Sequence, residues 1–225
     1  EAAFLDGEEL VLARGGRRET VARVDEVPIA HGGAARYNLA NALGAIGLAA
    51  ALGLSPEHMA RGLAAVRGTA ADNPGRANLF AIGGFRVLLD YAHNPHGLAA
   101  LLDLAASFPA ARRLIVLGQA GDRDDDAIRE LARIAWRARP DRVVIKEMPS
   151  LLRGRAAGEV PAILADELAR QGAPPAAIVK AGSEPEAVRQ ALAWARPGDL
   201  LILLVHTDRE EAFEILEEAR RKAVR

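Results

Sequence analysis

At 225 residues the chain is long enough for one large domain or two small ones, and half of it is hydrophobic. Only 4% is aromatic, so a core must be built mostly from Ala, Leu, Val and Ile. Lys+Arg 29 against Asp+Glu 30 leaves a net charge of −1, which gives no support for a nucleic-acid or membrane-surface partner. With no cysteine there is no disulfide, thiolate nucleophile or cysteine-based metal site. Glu1-Ala2-Ala3-Phe4 leads straight into charged residues and no long apolar span follows, so the sequence reads as a soluble cytoplasmic protein without a leader or membrane segment.

In chain order, Leu10–Arg14 and Thr20–Val24 are strand-like runs, with Gly15-Gly16-Arg17-Arg18 as the turn of a hairpin. A loop with Pro28 and Gly32-Gly33 precedes an Ala- and Leu-rich helix from Tyr37 to Leu52, stopped by Gly53. Ser55-Pro56 starts a second helix to about Val66, with Ser55 as N-cap. A single hairpin and two apolar helices do not close a core. Residues 1–73 are therefore expected to be the end of a larger domain, or to pack on something else, with an apolar face open to self-association. A polar linker, 68–75, follows.

From residue 74 to 225 the pattern becomes regular. Strands are expected near 78–82, 85–90, 113–117, 142–146, 176–180 and 200–205, and helices near 96–107, 125–138, 158–170, 184–194 and 209–223. Alternating elements with continuously apolar strands make the fold class α/β, a Rossmann-like, mainly parallel sheet covered on both faces.

The densest polar stretch is Asp90-Tyr91-Ala92-His93-Asn94-Pro95-His96-Gly97, where a strand ends and a helix begins. In open α/β sheets that edge is where ligands bind. Asn94 and Pro95 suit the N-cap and first turn, and Asp90 and His93 face a helix N-terminus fit for a nucleotide or phosphate. A purely capping role accounts for the same residues.

Asp90-Tyr91-Ala92-His93-Asn94-Pro95 resembles the D-Y-A-H-N/T-P signature that opens the C-terminal domain of the Mur ligase family. That family includes peptidoglycan amino-acid ligases, folylpolyglutamate synthase and cyanophycin synthetase. Gly32-Gly33-Ala34-Ala35-Arg36-Tyr37-Asn38-Leu39-Ala40-Asn41-Ala42 is similar to the family's adenine-contacting helix, with Tyr37 where many members have His. Pro74-Gly75-Arg76 resembles the interdomain linker, Gly118-Gln119-Ala120-Gly121-Asp122-Arg123-Asp124 a family G-x-x-G-D-R-D loop, and Lys146-Glu147…Leu152-Arg153-Gly154-Arg155…Gly158-Glu159-Val160 the cyanophycin synthetase branch.

The resemblance implies ATP-dependent amide formation between a carboxylate and an amino acid through an acyl phosphate, with ATP and Mg²⁺ as cofactors. It implies that Asn38 and Asn41 face adenine, Arg76 the phosphates and Asp90 the ribose, with His93 and Asn94 beside the nucleotide. Asp122, Arg123, Lys146, Arg153 and Arg155 are implied on the amino-acid side, and Gly118 and Gly121 would let backbone approach a ligand. It covers only the later half of such a ligase. The lysines are Lys146, Lys180 and Lys222, none in a Gly-rich phosphate loop, so that loop and the metal ligands are expected from preceding domains or a partner chain. No catalytic residue and no metal ligand is assigned here. A non-catalytic nucleotide-binding module and a structural domain are the other readings.

Overall fold

The apolar run Leu200–Leu204 is buried at every position, as a strand must be when helices cover both faces of its sheet. The computed structural model, which describes residues 1–223, places this run at the centre of a six-stranded sheet. The chain divides into two compact units, Glu1–Pro74 and Gly75–Arg225.

The first unit has strands β1 (Ala2–Asp6), β2 (Glu9–Arg14) and β3 (Arg17–Arg23), then helices α1 (Arg36–Ala51) and α2 (Pro56–Ala65). The three strands form one antiparallel sheet. β1 was not expected from sequence, and it turns the hairpin into a sheet. The turn is also shorter than expected. Gly15 and Gly16 both have positive φ, the backbone of a two-residue hairpin loop, so Arg17 and Arg18 already pair with Arg14 and Ala13. Sheet and helices enclose a core of Leu10, Leu12, Val21, Val27, Leu39, Ile46 and Met59. The expectation that two apolar helices lack a core of their own is thereby corrected. Leu48 (71% exposed) and Leu52 (80%) on α1 stay open to solvent. Gly53 ends α1 with φ +80° as read from sequence. Ser55 has cap geometry, but its hydroxyl pairs with His58 Nδ1 at 2.9 Å instead of capping α2.

The second unit runs β4 (Asn78–Ile82), β5 (Phe85–Asp90), α3 (Pro95–Ala106), β6 (Arg113–Leu117), α4 (Asp125–Arg137), β7 (Arg142–Lys146), α5 (Glu159–Arg170), β8 (Ile178–Ala181), α6 (Glu184–Trp194), β9 (Leu200–Leu204) and α7 (Arg209–Ala223). The strand order is β4-β5-β9-β6-β7-β8, with only β4 antiparallel. Helices α3, α4 and α5 pack side by side, and α6 packs on α7. Right-handed crossovers put these two groups on opposite faces of the sheet. β9 returns between β5 and β6, so the chain reverses direction there. The carboxyl ends of β5, β9, β6 and β7 form the crest at that switch point. Among the described residues no helix is long and apolar enough to cross a membrane.

Candidate functional site

Loops from those four strand ends enclose a cleft of about 160 Å³. Tyr91 and His93 come from the loop after β5; Gln119, Asp122 and Arg123 from that after β6; Met148 and Leu151 from that after β7; and His206 from that after β9. Tyr91 meets His93 and His206, each with ring centroids 5.3 Å apart. The Arg76 guanidinium lies 5.4 Å from the Tyr91 ring centre, a cation–π contact at the edge of this group.

The loop after β5 is fixed by its own polar residues. Asn94 Oδ1 accepts from Gly97 N at 2.8 Å and caps α3, with Pro95 in the first turn as expected. Asp90 is buried, and its two carboxylate oxygens accept N–H groups of Ala77 (2.8 Å) and Ala92 (2.7 Å). It therefore ties the entry of β4 to the crest. Burial raises its carboxyl above the usual range, against the pull of those two N–H groups and Arg76. His93 is exposed, with Nδ1 3.3 Å from Tyr91 O.

The loops after β6 and β7 interlock. Gly121 N donates to Leu151 O at 2.8 Å, and a Cβ on Gly121 would lie 2.0 Å from Leu152 O. A Cβ on Gly118 would lie 2.6 Å from Lys146 Cγ. Both glycines are thus required by neighbouring chain. Arg155 Nε donates to Gly121 O (3.0 Å), and its terminal nitrogens bond Arg123 O (2.7 Å), Asp125 (2.8 Å) and Glu159 (2.7 Å). With its donors so occupied, Arg155 pins one loop to the other and is not free to grip a carboxylate. Lys146 is likewise removed from the amino-acid side. Its side chain is fully buried, paired with Glu184, and donates to Leu204 O at 2.6 Å. Burial pushes its pKa down to about 8, with Glu184 opposing.

Asp122, Arg123 and Arg153 are exposed. Asp122 and Arg123 line the cleft; Arg153, at φ +49°, does not. In the first unit, Asn38 Nδ2 donates to Ile29 O at 2.7 Å, and its Oδ1 accepts from Asn41 Nδ2 at 3.3 Å. Asn38 therefore braces α1 on the preceding turn, and Asn41 is the exposed member of the pair.

The strongest electrostatic feature carries no sequence motif. His206 Nε2 lies 3.0 Å from Ala92 O, a group that only accepts, so Nε2 carries the proton. Nδ1 is buried and has no hydrogen-bond partner among the described residues. Burial first, then the positive charge of Lys146, pushes the His206 pKa down to about 3. The one available signal was position, since His206-Thr207-Asp208 follows the last strand at the crest.

A family model described as "Mur ligase, glutamate ligase domain" matches residues 75–207, more than half of the chain and all four crest loops. The chain belongs to the Mur ligase family. Cyanophycin synthetase of Trichormus variabilis is 30% identical over 90% of this Mur ligase chain, which spans 22% of that protein. UDP-N-acetylmuramoyl-L-alanyl-D-glutamate–2,6-diaminopimelate ligase of Corynebacterium efficiens is 32% identical over 82% of the chain, which spans 34% of it. Among solved structures, E. coli FolC in complex with ADP superposes with a TM-score of 0.66 at 21% identity, over 98% of this chain and 46% of that one. At that identity the match speaks for the fold alone. The chain thus spans only about a fifth to a third of the length of these two curated relatives. Among the described residues, no group of three or more His, Asp or Glu side chains is placed to hold a metal ion. The described residues do not by themselves make a Mg²⁺ site.

Proposed function

We propose that this chain supplies the nucleotide- and amino-acid-facing crest of an ATP-dependent ligase that joins a carboxylate to an amino acid as an amide. The observation that carries this reading is the convergence of four loops, all inside the family match, on one cleft. In such a reaction the carboxylate takes the terminal phosphoryl group of ATP, the amine attacks the acyl phosphate, and phosphate leaves. The ATP requirement makes the cytoplasm its site.

The residues divide by what they have free. Asp122 and Arg123 line the cleft side by side with no ion pair to another described residue. They offer a carboxylate and a guanidinium to the ammonium and carboxylate of a zwitterionic amino acid. Arg76 and the Tyr91 ring, with His93 beside it, form the nucleotide side: a guanidinium for phosphate and an aromatic face for a base or sugar. Asp90 takes backbone N–H groups of Ala77, Ala92 and Tyr91 and keeps a remaining lone pair for a ribose hydroxyl. Asn41 is the candidate adenine contact of the first unit, oriented by Asn38. Phosphoryl transfer itself needs a phosphate loop, and none of Lys146, Lys180 and Lys222 sits in one. That part is assigned to other domains of the ligase.

Calorimetric titration of the chain with ADP, and separately with arginine, aspartate, lysine and glutamate, tests the division. Asp122→Ala/Arg123→Ala is expected to abolish amino-acid heat and leave ADP binding within twofold. Equal loss of both ligands would overturn it.

A further inference from the structure

We propose that Glu184, seated on Lys146, is the positioning residue that holds the 206–208 wall of the crest cleft. Glu184 opens α6 and is completely buried. An acid in a helix's first turn ordinarily faces solvent and the helix's own N–H groups. Here Ser183 caps α6, its hydroxyl accepting from Glu186 N at 3.3 Å, and the Glu184 side chain is free to turn to β9. Its Oε2 accepts from His206 N at 2.7 Å and Thr207 N at 3.4 Å, and its Oε1 from Asp208 N at 2.8 Å. Three consecutive backbone N–H groups thus wrap one carboxylate as the chain leaves the sheet.

Strand pairing cannot supply this. Val205 N still reaches Asp90 O at 2.9 Å, in continuation of the β5–β9 ladder. From His206 onward the N–H groups turn to Glu184 instead. The same turn sets the start of α7, where Ala212 N bonds Asp208 O at 2.9 Å.

Lys146 ties this wall to two others. Its ammonium bonds Glu184 and Leu204 O, its stem lies against Gly118, and its backbone opens the loop to Met148 and Leu151. One buried pair therefore touches the loops after β6, β7 and β9. Stability does not require an ion pair here, since apolar residues of similar volume commonly replace one without loss. The three N–H groups, however, need an acceptor.

The inference rests on the crest cleft being the ligand site, and its test separates the two. Lys146→Met leaves Glu184 with its three backbone donors, Lys146→Met/Glu184→Gln keeps one carbonyl acceptor, and Lys146→Met/Glu184→Leu keeps none. Amide hydrogen exchange is followed by NMR at His206 and Asp208, with Ile202 and Leu203 as sheet references. Exchange at His206 and Asp208 is expected to quicken at least tenfold from Lys146→Met to the Leu variant. The Gln variant should fall between, and the references should hold. Unchanged protection at His206 and Asp208 would overturn the inference, as would loss in step with Ile202 and Leu203, which is a plain stability effect. If the Leu variant does not fold, the comparison of Met with Met/Gln decides in the same way. An exchange response with unaltered ADP and amino-acid affinity would leave the positioning role standing and remove the proposed ligand site.

Discussion

Acidification should destabilise the second unit through His206, by an amount that follows from its surroundings. The imidazole holds its one proton on Nε2 toward Ala92 O. A second proton on Nδ1 would be buried without a partner and close to the Lys146 ammonium, and the pKa falls from 6.5 to about 3. Between those values the unfolded chain binds the proton and the folded chain refuses it. The stability is complete above pH 6.5 and drains away as pH falls toward 3. At pH 5 the loss is about 2 kcal/mol, and it reaches about 4 kcal/mol at pH 3. Asp90 acts in the opposite sense. Its raised carboxyl takes up a proton more readily in the folded state, so stability is regained as pH falls through it. Comparison with His206→Gln removes the His206 part and leaves Asp90 in both proteins. Urea unfolding between pH 7.5 and 5, followed by tryptophan fluorescence, is the assay. Trp136 and Trp194 are the only tryptophans and both lie in the second unit. The wild type should lose about 2 kcal/mol more than the variant over this range. Parallel pH profiles would refute the reasoning and put His206 in contact with solvent.

Gly121→Ala would drive a Cβ to 2.0 Å from Leu152 O, so the interlocked loops must part. Urea unfolding should show a loss of about 1–3 kcal/mol, and a neutral effect would contradict the interlock. Asp90→Ala leaves the N–H groups of Ala77 and Ala92 without their acceptor. It should therefore cost about 1–3 kcal/mol of stability per orphaned group, seen as a lower melting temperature, as well as weaken ADP; an unchanged melting temperature would point to a ligand role alone. Lys146 should titrate near pH 8 by ¹⁵N NMR of its side chain. Since the unfolded chain holds that proton to about pH 10.5, stability should rise with pH across the interval, and a Lys146 pKa above 10 would show it to be hydrated.

Much of the second unit was legible because its strands are short apolar runs between strong punctuation. Asn94-Pro95 reads as a cap and first turn, and Asn94 accepts the Gly97 N–H expected of one, whereas Ser55, read the same way, turns its hydroxyl to His58. β1 was missed because Ala-Ala-Phe-Leu-Asp has neither alternation nor a long apolar run; it is a strand because β2 pairs with it. The crest loops were also legible as a set, since each follows a strand end. What each side chain does there was not. Arg153 and Arg155 stand two residues apart in a basic loop, yet one is exposed and the other pins two loops together. Lys146 and Glu184 are 38 positions apart, and nothing in either neighbourhood marks a charge for burial. Such a pairing is set by tertiary packing, which local pattern does not encode.

The central claim is that the crest cleft holds an amino acid beside a nucleotide. It is tested most directly by amide-resolved NMR of the chain titrated with ADP and then with the amino acid that gives heat. The expected map has ADP shifting Arg76, Tyr91 and His93, and the amino acid shifting residues 119–123 and Met148. Shifts confined to other surfaces, or none at millimolar ligand, would contradict it.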